Sequence, residues 1–193
     1  DALPAQPWRW DGERWTREVL TADGPQWQAA DPGDAGAWFA SHTDGLEARD
    51  GSVWCEALPG LVRDLTAPLQ AGLFLAVDYG EAVDRLLAKG ADLRRFKAHT
   101  VDGLWHEDLG EADLTADVDF TRLGDLLAAQ GFEAPSHVEL SKWIRTHAPL
   151  DRWGAEWMGL PDRERVSRAE NLLQLTLPNK LGSRFRVLEA WRG

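Results

Sequence analysis

One cysteine, Cys55, among 193 residues removes an internal disulfide framework and any thiolate-rich zinc site from consideration, and it fits a reducing compartment. Basic residues are also scarce. The 21 lysines and arginines face 32 acids, a formal charge of −11. A surface that tracks phosphates needs a basic excess to release counterions, so nucleic acid is not the expected partner. No apolar run approaches the roughly 20 residues that span a bilayer, and the opening lacks a basic-then-apolar leader, so no membrane is expected and a cytoplasmic location is. The glycines never fall two apart, which removes every Gly-x-Gly cofactor loop. A Gly-x-Ser-x-Gly elbow and a lysine-bearing phosphate loop are missing too. The five histidines lack the spacing of metal ligands.

What is present has ordinary globular proportions, with 44% hydrophobic and 27% charged residues, enough for one domain or part of one. Eleven tryptophans invite a reading as stacking surfaces for sugars or bases. Their scatter through differently patterned segments favours packing, with the indole N–H groups satisfied. The opening Asp1-Ala2-Leu3-Pro4 reads as the tail of a strand entering a loop. Bulky and polar residues alternate over 7–20 around Asp11-Gly12, a dipeptide suited to a tight hairpin. Residues 21–36 read as a loop, 35–42 as a short helix and 54–70 as helical. The apolar run 72–77, bounded by Gly72 and Asp78-Tyr79-Gly80, predicts a central strand buried on both faces, as in a parallel α/β sheet. Helices are predicted over 81–89, 119–130, 138–147 and 161–177, and strands over 92–98 and 184–191.

Two acidic features could carry chemistry. Asp78 stands at the carboxyl end of the predicted buried strand, where open α/β sheets place ligands, although it could equally cap the next helix. The segment 109–120 concentrates acids around Thr115 and could hold a guanidinium or ammonium group by charge-assisted hydrogen bonds. The plainer alternative there is a solvated loop with a helix cap at Asp117 or Asp119.

Taken in order, several segments resemble one family. Asp1-Ala2-Leu3-Pro4, Trp15-Thr16-Arg17-Glu18-Val19, the strand ending in Asp78-Tyr79-Gly80, Leu93 to His99, Ala112 to Phe120 and Pro178 to Phe185 are together similar to the second half of the MidA-like S-adenosylmethionine-dependent methyltransferases. Their mitochondrial member is a respiratory complex I assembly factor that methylates a protein arginine. Ala91-Asp92, Leu109 and Leu140 depart from the family pattern. The resemblance implies an α/β chain, the C-terminal part of a Rossmann-like class I methyltransferase sheet with an added hairpin and helices. Residues 1–193 would be the C-terminal portion of one domain, without the half that carries the Glu-x-Gly-x-Gly cofactor loop. It further implies S-adenosylmethionine as cofactor of the complete enzyme and a protein substrate, such as a complex I subunit in the mitochondrial matrix of a eukaryote. Asp78, Asp113, Asp117 and Asp119 would form the acidic catalytic site, with Tyr79, His99 and Thr115 orienting the substrate. Rival expectations are a non-catalytic assembly protein that has lost the cofactor half and a tryptophan-rich carbohydrate-binding module.

Overall fold

A computed structural model describes residues 4–193; Asp1, Ala2 and Leu3, and with them the expected strand tail, lie outside the described residues. Strands β1 (Ala5–Trp10) and β2 (Trp15–Thr21) form the expected hairpin. Asp11 accepts the backbone N–H groups of Glu13 and Arg14 at 2.9 and 3.0 Å, and Gly12 takes the positive φ of 109° that the turn requires. Two more antiparallel strands, β3 (Gly24–Ala29) and β4 (Gly51–Cys55), complete a sheet ordered β3-β2-β1-β4. The expected loop over 21–36 is therefore corrected. Its Pro and Gly content disguised β3, an edge strand, where Pro25 is tolerated because the missing N–H is not needed by a second neighbour.

Helices α1 (Asp34–Ser41) and α3 (Val83–Lys89) cover this sheet. Trp8, Trp15, Phe39, Trp54, Val83 and Leu87 form its core, with the Phe39 ring 5.3 Å from Trp15 and edge-on to Trp54 at 5.8 Å. Burying each large side chain contributes roughly 1.5–3 kcal/mol. The packing role expected of the tryptophans holds for these three; Trp191, in contrast, is exposed. The helix expected over 54–70 shrinks to α2 (Leu58–Thr66), because Trp54 belongs to β4 and Pro59 fits only the first helical turn.

A second sheet contains β5 (Gly72–Glu81), β9 (Val118–Asp119), β10 (Glu133–Glu139) and β11 (Phe185–Arg192), ordered β10-β11-β5-β9. Strand β11 runs antiparallel to both β10 and β5, whereas β9 pairs parallel with β5 only at Gly80 and Glu81. Helices α2 and α4 (Phe120–Ala129) close one face through Val62, Phe120, Leu123 and Leu127, packed on Phe74, Ala76, Leu188 and Ala190. The opposite face receives α5 (Leu140–His147), whose Trp143 donates to Glu189 at 2.8 Å, and the short α8 (Leu181–Arg184).

Burial of β5 on both faces is contradicted. Leu73, Leu75 and Val77 remain 38%, 45% and 46% exposed, since α5 and α8 pack over β11 and leave β5 uncovered. Nor is the sheet parallel, because the long partner of β5 is the antiparallel β11. Residues 138 and 139 close strand β10 before α5 starts, which shortens the helix expected there. Helices α6 (Leu150–Trp157), unforeseen, and α7 (Asp162–Thr176) follow. Strands β6 (Arg94–Lys97), β7 (Thr100–Asp102) and β8 (Asp113–Thr115) make a small third sheet ordered β7-β6-β8.

Candidate functional site

Asp78 and Tyr79 are adjacent at the end of β5, so the strand's alternation sends them to opposite faces. Asp78 lines a cavity of about 490 Å³ on the α2–α4 side, together with Leu58, Thr115, Asp117, Asp119 and Arg122. Tyr79 lies on the other side, its ring 4.0 Å from that of Phe185. Asp78 does not cap the next helix: Ala82 occupies the cap position of α3 without a side-chain bond. Its only hydrogen bond among the described residues is from the Tyr79 backbone N–H, at 2.7 Å, and no cation pairs with it. A carboxylate is thus presented at a strand's carboxyl end with its charge unspent.

The other two acids of that cavity are differently occupied. Asp117 accepts from Lys89 at 2.7 Å and from Arg94 at 2.5 Å. Burial pushes its carboxyl up, but the Lys89 hydrogen bond and the Arg94 charge outweigh that and hold it below its ordinary value. Asp119 caps α4, accepting the Arg122 backbone N–H at 2.9 Å, and its second oxygen accepts the Trp38 indole N–H at 2.9 Å. Here burial wins and raises the carboxyl despite both bonds. The capping role thus goes to Asp119, and Asp117 is an ion-pair partner. Arg122, unforeseen in the sequence, donates to the Cys55 carbonyl at 2.9 Å and lies over the Trp54 ring at 3.3 Å, tying the two cores together.

The remaining candidates are not gathered around Asp78. Asp113 is exposed and lines a separate cleft of about 340 Å³ with Tyr79, Phe96 and Arg184. Thr115 touches both that cleft and the Asp78 cavity. His99 is exposed in the two-residue turn between β6 and β7, where Ala98 and His99 both have positive φ, and it lines neither space. The acidic segment is therefore split: 115–119 adjoins Asp78, and Asp113 faces elsewhere. Lys89 and Arg94, which neutralise Asp117 from 28 and 23 residues away, carry no local signal of that role.

An α/β sheet with a ligand-sized cavity at the carboxyl end of a strand is the arrangement of Rossmann-like folds. Residues 1–138 match the family model described as "Putative S-adenosyl-L-methionine-dependent methyltransferase", and the chain belongs to that family. Its fold is shared with a crystal structure of a "likely methyl transferase" from Burkholderia thailandensis bound to S-adenosyl-homocysteine. That structure has a TM-score of 0.80 and 18% identity, over 100% of this chain and 51% of the other. A native crystal structure of an uncharacterized protein from the same organism matches with a TM-score of 0.80 at 19% identity, covering 98% of this chain and 52% of that one. The chain thus spans about half the length of each. No curated protein matches in sequence.

Proposed function

We propose that this chain is the C-terminal, acceptor-binding portion of a class I methyltransferase whose substrate is a guanidinium nitrogen of a protein arginine. In the complete enzyme S-adenosylmethionine supplies the methyl group. The residues of this chain do not fit a cofactor cradle of the usual kind, since no two glycines fall two apart to let backbone approach the ligand. Its contribution is therefore the acceptor side. The single observation that carries this reading is the unpaired Asp78 carboxylate in a cavity at the end of β5. A guanidinium entering that cavity meets Asp78 as a charge-assisted acceptor, with the Thr115 hydroxyl and the Asp119 carboxylate on the adjoining wall. Holding the nitrogen in one orientation lowers the entropic part of the barrier, and the carboxylate offsets the charge of the group. A respiratory complex I subunit is the candidate protein substrate by the resemblance of the sequence alone.

The test is methyl transfer from labelled S-adenosylmethionine to arginine-containing peptides by the full-length protein and its Asp78→Asn variant. Asp78 is exposed and unpaired, so the substitution leaves stability unchanged. The expected loss of turnover is on the order of 10²-fold, comparable to removal of one preorganised electrostatic contact. Wild-type turnover in a folded Asp78→Asn protein would remove Asp78 from the site, and transfer to lysine or to small molecules alone would overturn the arginine assignment.

A further inference from the structure

On the Tyr79 side of β5 the electrostatics reverse. A cleft of about 210 Å³ is lined by five cationic side chains, Arg85, Lys89, Arg94, Arg184 and Arg186, and by two carboxylates, Glu81 and Asp117. In a chain of net charge −11 this local excess runs against the composition. Each carboxylate is shared: Glu81 accepts from Arg186 and stands 3.5 Å from Arg85, while Asp117 serves both Lys89 and Arg94. Asp92 adds a third carboxylate behind the cleft, 3.0 Å from Lys89 and 3.6 Å from the Arg94 Nε, which is buried without a hydrogen-bond partner. Five cations thus face three carboxylates around the basic cleft, and Asp113 on the neighbouring cleft makes a fourth across the joined space. Arg184 has no carboxylate within ion-pair distance among the described residues and lies 5.4 Å from the Tyr79 ring centre. The apolar cleft of about 340 Å³ shares Tyr79, Arg94 and Arg184 with this basic one and continues to Phe96 and Val101.

We infer that these joined clefts form a binding site for a small organic anion, a phosphate or carboxylate carried on an apolar body. The anionic group would lie among Arg184, Arg85 and Lys89, and the apolar body against Tyr79, Phe96 and Val101. Guanidinium groups suit this role because they present paired donors in a plane that matches two oxygens of an oxyanion. The Asp78 cavity meets this site at Asp117, shared with the basic cleft, and at Thr115, shared with the apolar one. The inference is independent of the arginine methylation reading, and its test needs no cofactor.

Calorimetry on the 193-residue chain at low salt, with phenyl phosphate and benzoate as probes and benzyl alcohol and benzylamine as neutral and cationic counterparts, decides it. The anionic probes are expected to bind at least tenfold more tightly than benzyl alcohol, and more weakly as salt rises; their relative affinities show whether phosphate or carboxylate is preferred. Arg184→Gln should weaken them at least fivefold, Arg184→Lys should restore part of the loss, and Arg63→Gln on α2, outside the clefts, should change nothing. Circular dichroism confirms folding of each variant, and Arg85→Gln serves if Arg184→Gln does not fold. Absence of binding, equal or tighter binding of benzylamine or benzyl alcohol, or indifference of a folded Arg184→Gln protein to the probes would overturn the assignment.

Discussion

Trp38 on α1 donates its indole N–H at 2.9 Å to the carboxylate of Asp119, the cap of α4, across 81 residues of sequence. One side chain from the tryptophan-rich core is thereby locked to the helix cap that borders the Asp78 cavity. Asp119 uses one oxygen for the cap and the other for the indole, so the two bonds can be separated by substitution.

Asp119→Ala removes both bonds. Loss of a cap and of the Trp38 partner should together cost about 2–3 kcal/mol in urea unfolding. Asp119→Asn keeps the capping oxygen but turns its NH2 towards the Trp38 N–H, breaking that bond, and should cost about 1–2 kcal/mol. Because burial raises the Asp119 carboxyl in the folded state, the wild type gains stability from this group as pH falls through that raised value towards 3.8. The Asn variant should lose that gain, and equal pH profiles for the two proteins would contradict the burial described.

Asp117 has the opposite sign. Its folded value lies below the ordinary 3.8, so its stabilising contribution is complete above 3.8 and is lost as pH falls through the lowered value. Asp117→Asn should lower stability by about 1–3 kcal/mol at neutral pH, since it leaves the largely buried Arg94 with only the more distant Asp92 carboxylate. The gap to wild type should close in acid. A gap that persists at pH 2 would show that packing, not charge, is responsible.

Gly80 marks the closest approach of β5 and β9. A Cβ there would overlap the Val118 carbonyl oxygen and stand 2.8 Å from the Phe120 ring. Gly80→Ala should therefore cost at least about 1–3 kcal/mol, the range for overpacking, and should shift the Asp78 cavity by parting the two strands. Thermal unfolding of Gly80→Ala beside Gly60→Ala, which has open space on α2 apart from the Arg63 side chain at 3.7 Å, gives the comparison.

S-adenosylmethionine titrated into the 193-residue chain should give negligible heat, because the sequence holds no Gly-x-Gly pair. Micromolar affinity, about −8 kcal/mol, would mean that other residues of this chain hold the cofactor.

Local features of the sequence carried over well, and long-range ones did not. The apolar run 72–77 marked β5, and Asp119 ahead of Phe120, Leu123 and Leu127 marked the start of α4, because periodicity and capping act within a few residues. Which face of β5 is covered depends on where α5 and α8 pack, which no pattern within the strand encodes. The expected grouping of Asp78 with the acidic segment 113–119 holds for Thr115, Asp117 and Asp119 and fails for Asp113. The capture of Asp117 by Lys89 and Arg94, and the separation of Asp113 and His99 from the cavity, depend on how the small third sheet docks, and residue type alone gives no sign of it.

Along Gly72–Tyr79, β5 has β11 on one side and, among the described residues, no strand on the other, with Leu73, Leu75 and Val77 exposed beside that open edge. Unpaired backbone flanked by apolar side chains is a template on which another strand can add. Mutual repulsion between chains of charge −11 opposes that growth, and salt shortens its reach to about 8 Å at physiological strength. In the isolated 193-residue chain, light scattering should therefore stay flat in dilute buffer and climb as sodium chloride is added, and Val77→Lys on the open stripe should postpone the climb.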